Sequence, residues 1–412
     1  MEQVFPERLV AAAMRDLRAG TREGGAQGSP VVALVNAILG AGLSEGATDI
    51  HLEPQGGGMR IRLRVDGLLR EIAPHLPREL APVVIARLKV MAGIDTAKRN
   101  RPQDGKLSHS HEGRVVDMRV AVLPVMDGER MVVRIMDADA RFLGCAELGF
   151  SARNLSLFES LIRRPTGLLL LCGPMNSGKT TTLYAAIAAL SDVSCNIMTL
   201  EDPVERRIDG VSQIQVNPEA GLTFVAGLRA ALRQDAQKIL LGEIRDRETA
   251  EMAVRIALTG HALFSTLHTE DAVSAVFRMA EMSVPRYLLA ATLSGVIAQR
   301  LVRRICPHCR ERYTPGEKEA AQLGAFYQEG LQLTRGRGCA HCRGTGYSGR
   351  MAIHEVLPVS ERIRSAILRE EDKAALYAAA AEDGVETLWQ DGVVKVIRGE
   401  TTLDEVGRAL YG

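Results

Sequence analysis

What the 412-residue chain has little of narrows its class. Lys and Arg number 51 against 50 Asp and Glu, so a net charge of +1 offers no global attraction to a polyanion. Aromatic residues make up 4% of the chain, with a single Trp, which leaves few platforms for stacking bases. Both features argue against a nucleic-acid motor. Apolar runs such as "VVALVNAILGAGL" are too short or too interrupted to cross a bilayer. The N-terminal stretch carries Glu2, Glu7, Arg8, Arg15 and Asp16 where a signal peptide needs an apolar core. A soluble, cytosolic protein of two to four domains is therefore expected. Cysteine is scarce as well, yet four of the seven fall in two Cys-x-x-Cys pairs, which in a reducing compartment point to metal more than to disulfide.

Turn-rich and periodic segments divide the chain. Residues 1–28 read as a short amphipathic helix followed by the flexible linker "AGTREGGAQGSP". Residues 29–138 read as a small α+β domain. In it Met59, Ile61, Leu63 and Val65 alternate with arginines after a "GGG" turn at 56–58, and two further alternating segments, "GRVVDMRVAVLPV" and "ERMVVRIMD", follow. Between 145 and 300, apolar strands ("GLLLLCG", "NIMTLEDP", "KILLGEI", "ALFSTLH") alternate with helical stretches, the order of an α/β domain with a mainly parallel sheet and helices on both faces. Residues 301–350 hold the paired cysteines, and 351–412 read as short helices.

The string Gly173, Pro174, Met175, Asn176, Ser177, Gly178, Lys179, Thr180 satisfies G-x-x-x-x-G-K-[ST] between a strand and a helix, with Thr181 continuing it. Glycines let backbone N–H groups curl around phosphate, Lys179 reaches the β- and γ-phosphates, and the Thr180 hydroxyl suits Mg²⁺. The bland alternative is a glycine turn between strand and helix. Three later strand ends should converge on the same sheet edge. Glu201, Asp202 and Glu205 follow one strand; Glu243 follows a fully apolar one, as a Walker B carboxylate does; His261 and His268 flank a third. Taken singly, each acidic group could be a solvated surface residue, and a lone His is more often structural. Their recurrence after one phosphate loop raises the functional reading.

Cys306 and Cys309 form one thiolate knuckle, Cys339 and Cys342 another, separated by the 29 residues 310–338. Four thiolates suit tetrahedral structural Zn²⁺, and the long tether costs little because closure entropy grows slowly with length. The alternatives are unligated thiols or two local redox pairs. His308 and His341 lie inside the knuckles as spare ligands. Cys145, Cys172 and Cys195 suit buried, small apolar positions.

The segments "EDPVE", "GLRAALRQD", "GEIRDRETAE", "TGHALFSTLHTEDA" and "AQRLVRRICPHC" resemble the secretion ATPases of type II secretion and type IV pilus assembly, and "ATDIHLEP", "RPQDGK" and "DMRV" resemble the domain preceding their motor. "TTTLYAA" and "AVSAVFRM" look more like the type II secretion branch. The resemblance runs from about Val31 to the C-terminus. It implies a P-loop (RecA-like) motor domain, preceded by the α+β domain and followed by a tetracysteine, zinc-binding and helical region.

By position, it gives Glu243 the catalytic role, Glu201, Asp202 and Glu205 an acidic box, and His261 and His268 a histidine box. Arg119 and Arg134 would reach the γ-phosphate, with Arg229 and Arg233 a second pair near the site. The bland reading of Arg119 and Arg134 is a solvated strand face. ATP, Mg²⁺ and Zn²⁺ follow as expected cofactors. The resemblance further implies a cytoplasmic homo-hexamer, peripheral to the inner membrane through a platform protein and a membrane-anchored docking protein, without direct nucleic-acid contact. The expected task is pseudopilus assembly and protein export. Alternatives are a pilus-extension or DNA-uptake motor and a low-turnover regulator. About 30 residues precede the match, so an N-terminal docking domain is expected to be absent, shortened or left out. Three departures bear on turnover: Met175-Asn176 replaces Thr-Gly, Ala236-Gln237 replaces Pro-Asp, and Glu270 replaces Asn.

Overall fold

The computed structural model describes residues 7–19, 29–72, 75–136 and 142–412. The chain forms two compact units, Met1–Ala140 and Arg141–Gly412. Most of the linker expected at 19–30, and the expected end of the small domain near Asp137, lie outside the described residues.

The first unit is an antiparallel sheet of β1 (Asp49–Gln55), β2 (Gly58–Val65), β3 (Leu68–Glu71), β4 (Gln103–His111), β5 (Arg114–Val125) and β6 (Gly128–Met136), in the order β3-β2-β1-β6-β5-β4. Gln55 pairs with Gly58, so the turn is Gly56-Gly57. Gly58 has φ 146°, and a Cβ there would lie 2.2 Å from the Leu76 carbonyl oxygen. Alternation sends Ile50, Leu52, Ile61, Leu63, Val120, Met131 and Val133 into one core with α1 (Glu7–Ala19), α2 (Pro30–Ser44) and α3 (Ala81–Met91). The opposite face carries Arg60, Arg62, Arg64, Arg119, Arg130 and Arg134 around the buried Asp49 and Glu53. Burial alone would raise the Glu53 carboxyl, but hydrogen bonds from Arg62 and Arg60 and the charges of Arg62 and Arg130 hold it below the usual range.

The second unit is built on a sheet of seven strands in the order β15-β12-β7-β11-β10-β8-β9. These are β7 (Gly167–Cys172), β8 (Ile197–Glu201), β9 (Ser212–Gln215), β10 (Lys238–Leu241), β11 (Ala262–Leu267), β12 (Leu293–Ile305) and β15 (Tyr347–Pro358); β13 (Arg310–Tyr313) and β14 (Leu333–Gly336) pair separately. All neighbours are parallel except β12 and β15. Both faces are covered, which explains the unbroken apolar run of β7: Leu168 and Leu170 enter one core, Leu169 and Leu171 the other. The first core includes α6 (Phe224–Ala231), α7 (Arg247–Leu258) and α8 (Ala272–Glu281); the second includes α4 (Ala152–Ile162) and α5 (Lys179–Leu190).

Two elements depart from the expected division of this unit. β12 continues the main sheet past residue 300, and β15 occupies the start of the tail expected to be helical from 351. Met351–Leu357 is buried without a break, so β15 shows no period-two signal in sequence. The four helices beyond it, Glu361–Leu368, Lys373–Glu382, Leu388–Ile397 and Leu403–Tyr411, match the reading of short helices. Among the described residues no helix is long and apolar enough to cross a membrane.

His354, on β15, is fully buried and stacked on Phe150 at 3.6 Å between ring centroids, and neither ring nitrogen has a hydrogen-bond partner. Burial, with the nearby Lys395 charge, pushes its pKa well below 6.5. The folded chain therefore stays neutral here where the unfolded chain takes a proton. The associated stability is complete above about pH 6.5 and is lost as pH falls. Unfolding free energies from denaturant titrations between pH 7 and 5 should fall faster for the native chain than for His354→Phe, by up to about 1.4 kcal/mol per pH unit. Parallel curves would contradict this.

Candidate active site and metal centre

In a parallel sheet all carboxyl ends lie on one edge, and here that edge collects Lys179, Glu243 and His268. The loop after β7 turns at Gly173 (φ 151°), Asn176 (φ 62°) and Gly178 (φ 86°) before Lys179 opens α5. Asn176 thus adopts the left-handed backbone that its side chain tolerates. The buried Lys179 ammonium donates to the carbonyls of Gly173 (2.7 Å) and Pro174 (2.8 Å). Burial lowers its pKa to about 8, against the opposing pull of Cys172 and Glu243. Ser177 Oγ is buried with no hydrogen-bond partner, while Pro174, Met175 and Asn176 are exposed and Thr180 is half-buried. A glycine-turned loop with a desolvated cation and an orphaned hydroxyl is chemically suited to an anion.

Glu243 follows β10 and His268 follows β11. Glu243 pairs with the Arg245 guanidinium, and its Oε2 lies 3.5 Å from His268 Nε2. Burial favours the neutral carboxyl, but Arg245 and His268 outweigh it and hold Glu243 below the usual range. His268 itself is lowered by burial and by the Lys179 charge. Lys179, Glu243 and His268 therefore form one electrostatic unit, and at neutral pH Glu243 is an anion able to orient or accept a proton.

The other expected residues are distributed differently. Glu201 is buried at the end of β8, where Tyr184 donates to Oε2 and Thr199 (2.5 Å) and Gln213 (3.2 Å) donate to Oε1. Its oxygens are engaged within the protein, which suits a structural brace better than an open metal ligand. Asp202 and Glu205 are exposed beside it, and Thr181 is exposed on α5. Arg229 and Arg233 are exposed near the end of α6, Arg229 lying 3.4 Å from Glu248 and Arg233 donating to the Arg229 carbonyl. Arg119 and Arg134 are cross-strand partners in the first unit, where Arg134 Nε donates to Asp49 (3.1 Å).

His261 is not brought to this edge. It precedes β11 and accepts from Gly167 N at the start of β7, whereas the phosphate loop follows the end of β7. Seven residue steps along extended chain separate it from His268, roughly 23 Å.

Sequence reasoning missed the groups that hold the site together. Gln299 on β12 donates from Nε2 to the Ser177 carbonyl and accepts at Oε1 from Thr182, both at 2.7 Å. Arg300 donates to the Glu270 carbonyl at 2.6 Å. Tyr184 links Glu201 to the Glu205 backbone N–H. The segments "AQRLVRR" and "TTTLYAA" contained these residues, but no local pattern says that a strand 120 residues later borders the loop.

At the cysteines, sulfur separations are 3.7 to 3.9 Å for three pairs, and all four sulfurs lie within 4.8 Å of one another. Disulfides need about 2.05 Å. A tetrahedron with Zn–S bonds of about 2.3 Å has edges of about 3.8 Å, so the donor set and its spacing fit zinc. Backbone N–H groups of Cys339 and Gly346 point at Cys342 Sγ, each at 3.2 Å, and favour its thiolate despite burial.

The depressed Lys179 pKa has a measurable consequence. A phosphate ligand needs the ammonium, so binding above pH 8 must take up a proton, and ADP affinity should fall about tenfold per pH unit there. Lys179→Arg should flatten that dependence. Titration calorimetry showing constant native affinity to pH 9.5 would contradict it.

A family profile described as "Type II/IV secretion system protein" matches residues 25–408. The type II secretion system protein E of Pseudomonas aeruginosa is 45% identical over 380 residues, 92% of this chain and 75% of that protein. The type II secretion system ATPase E of Vibrio cholerae is 44% identical over 383 residues, with the same two coverages. Among solved structures, the pilus retraction motor PilT with bound ADP has a TM-score of 0.61 at 25% identity, covering 92% of this chain and 97% of that one. The ATPase DotB of Legionella pneumophila has a TM-score of 0.68 at 21% identity, covering 91% and 95%, a likeness of fold. With the phosphate loop, the Glu243–His268 pair and the sheet order in place, the chain belongs to the type II/IV secretion system protein family and is a secretion-system motor ATPase.

Proposed function

We propose that the chain powers a type II secretion system by hydrolysing ATP as a cytoplasmic homo-hexamer. In this reading it works through an inner-membrane platform protein and a membrane-anchored docking protein to assemble a pseudopilus. The observation that carries the chemistry is the convergence of Lys179, Glu243 and His268 on the edge where the phosphate loop turns. Identities of 44–45% to proteins named for type II secretion, against 25% to the pilus retraction motor, favour secretion over a pilus or DNA-uptake task.

Phosphoryl transfer is mostly positioning and charge stabilisation. In this reading the loop 173–180 and Lys179 bind the phosphates and Glu243 orients the attacking water. His268 and Arg245 hold the Glu243 carboxylate in place. A Mg²⁺ at the Thr180 hydroxyl would neutralise phosphate charge. Arg119, Arg134, Arg229 and Arg233 would supply positive charge to the γ-phosphate of a neighbouring chain, which would make turnover depend on assembly. Glu201, Asp202 and Glu205 shape the wall beside α5, and His261 stands away from the chemistry of its own chain. The four cysteines hold a structural zinc.

Steady-state ATP hydrolysis per chain should rise with protein concentration. Glu243→Gln should lower turnover by about a hundredfold or more, and Arg134→Ala should also reduce it. Turnover of the native chain no faster than that of Glu243→Gln, at concentrations where rings form, would instead support a low-turnover regulator. Elemental analysis should find one zinc per chain, lost in Cys309→Ser/Cys342→Ser together with thermal stability. A zinc-free native protein, or one carrying Cys306–Cys339 and Cys309–Cys342 disulfides, would contradict the metal assignment.

A further inference from the structure

β12 lies beside β7 in parallel register, with Ala298 opposite Cys172, the last residue of β7. The next residue, Gln299, is therefore level with the start of the phosphate loop. The residue is 1% exposed, yet both ends of its amide are satisfied: Nε2 by the Ser177 carbonyl and Oε1 by the Thr182 hydroxyl. The approach leaves no spare room. A Cβ at Gly173 would lie 2.5 Å from the Gln299 carbonyl oxygen, and one at Gly178 would lie 2.8 Å from Gln299 Nε2. The glycines of the loop are thus required by β12 as well as by backbone conformation.

We infer that Gln299 is a positioning residue that sets the anion-binding shape of the phosphate loop. In a planar trans peptide the carbonyl and the following N–H point in opposite directions. Holding the Ser177 carbonyl against Gln299 therefore turns the Gly178 N–H away from β12. The bond to Thr182 fixes the first turn of α5, and with it Lys179, from the other side of the same amide. Neighbouring residues on a strand point to opposite faces. Arg300 accordingly reaches the other way and donates to the Glu270 carbonyl, in the segment just after His268. Two consecutive residues of β12 thus hold the phosphate loop and the segment after His268 at a fixed spacing. Gln299 touches no reacting atom and acts through the loop.

This inference rests on residues 173–180 being the nucleotide site. The test is equilibrium binding of a fluorescent ADP analogue to the 412-residue chain, with melting temperature and the ATP kcat and KM measured in parallel. Gln299→Glu keeps the side-chain shape but replaces the donor facing Ser177 with an acceptor. It should weaken ADP binding at least tenfold and raise KM, with kcat changed less than KM and most of the ligand-free melting temperature retained. Thr182→Val should also weaken binding, and Thr182→Ser, which restores the hydroxyl, should bind as the native chain does. If Gln299→Glu does not fold, the Thr182 pair decides. ADP affinities within twofold of native for Gln299→Glu and Thr182→Val would overturn the inference, as would a lowered melting temperature with unchanged affinity. A native chain that binds no ADP, or a Lys179→Ala chain that binds it equally well, would overturn the nucleotide-site reading itself.

Discussion

Six strands of the second unit run in the same direction, and this is the constraint on which the rest depends. Parallel pairing places every carboxyl end on one edge, where the chain leaves the sheet as irregular backbone with unpaired N–H groups. The two apolar cores on either face fix strand order and register, and that order puts β7 between β11 and β12. Lys179, His268 and Gln299 come from three regions of sequence, yet they become neighbours because their strands do. Glu243 joins them from β10, one strand further along.

The electrostatics follow from that burial. Lys179 is desolvated, so its charge is weakly held until an anion arrives. Arg245 and His268 face Glu243 and hold its carboxyl below the usual range despite burial. A cation that gains from an incoming phosphate, beside a carboxylate already anchored, provides charge where phosphoryl transfer needs it. Glu201 shows the opposite design. Its carboxylate is consumed by Tyr184, Thr199 and Gln213, so it stiffens the contact between β8 and α5 instead of meeting solvent. In the other unit, the arginine-lined face is kept ordered by the buried carboxylates Asp49 and Glu53.

Much of this was legible in sequence where signals are local. The phosphate loop, the apolar strands that carry it and the paired cysteines each announce themselves within a few residues. Alternation also marked β2, β5 and β6 of the small unit. What stayed hidden depends on strand order. β15 is buried on both faces and has no period, and β4 alternates mostly between half-buried and exposed positions, with Leu107 its single buried residue. The importance of Gln299 is set by a neighbour in space, and the location of His261 by strand direction. The motif did show that its two histidines flank one strand; which of them lies at the edge of the phosphate loop is decided by the direction of β11 beside β7.

The central claim is that this carboxyl edge is where nucleotide binds and is turned over. Hydrogen exchange of the 412-residue chain, with and without Mg²⁺ and a non-hydrolysable ATP analogue, tests it most directly. Slowed exchange is predicted in the loop and first turn of α5, residues 173–182, and in the segments at 243–245 and 268–271, with the cysteine knuckles little changed. Saturating analogue that leaves those three segments unprotected, or protects only residues elsewhere, would contradict the account.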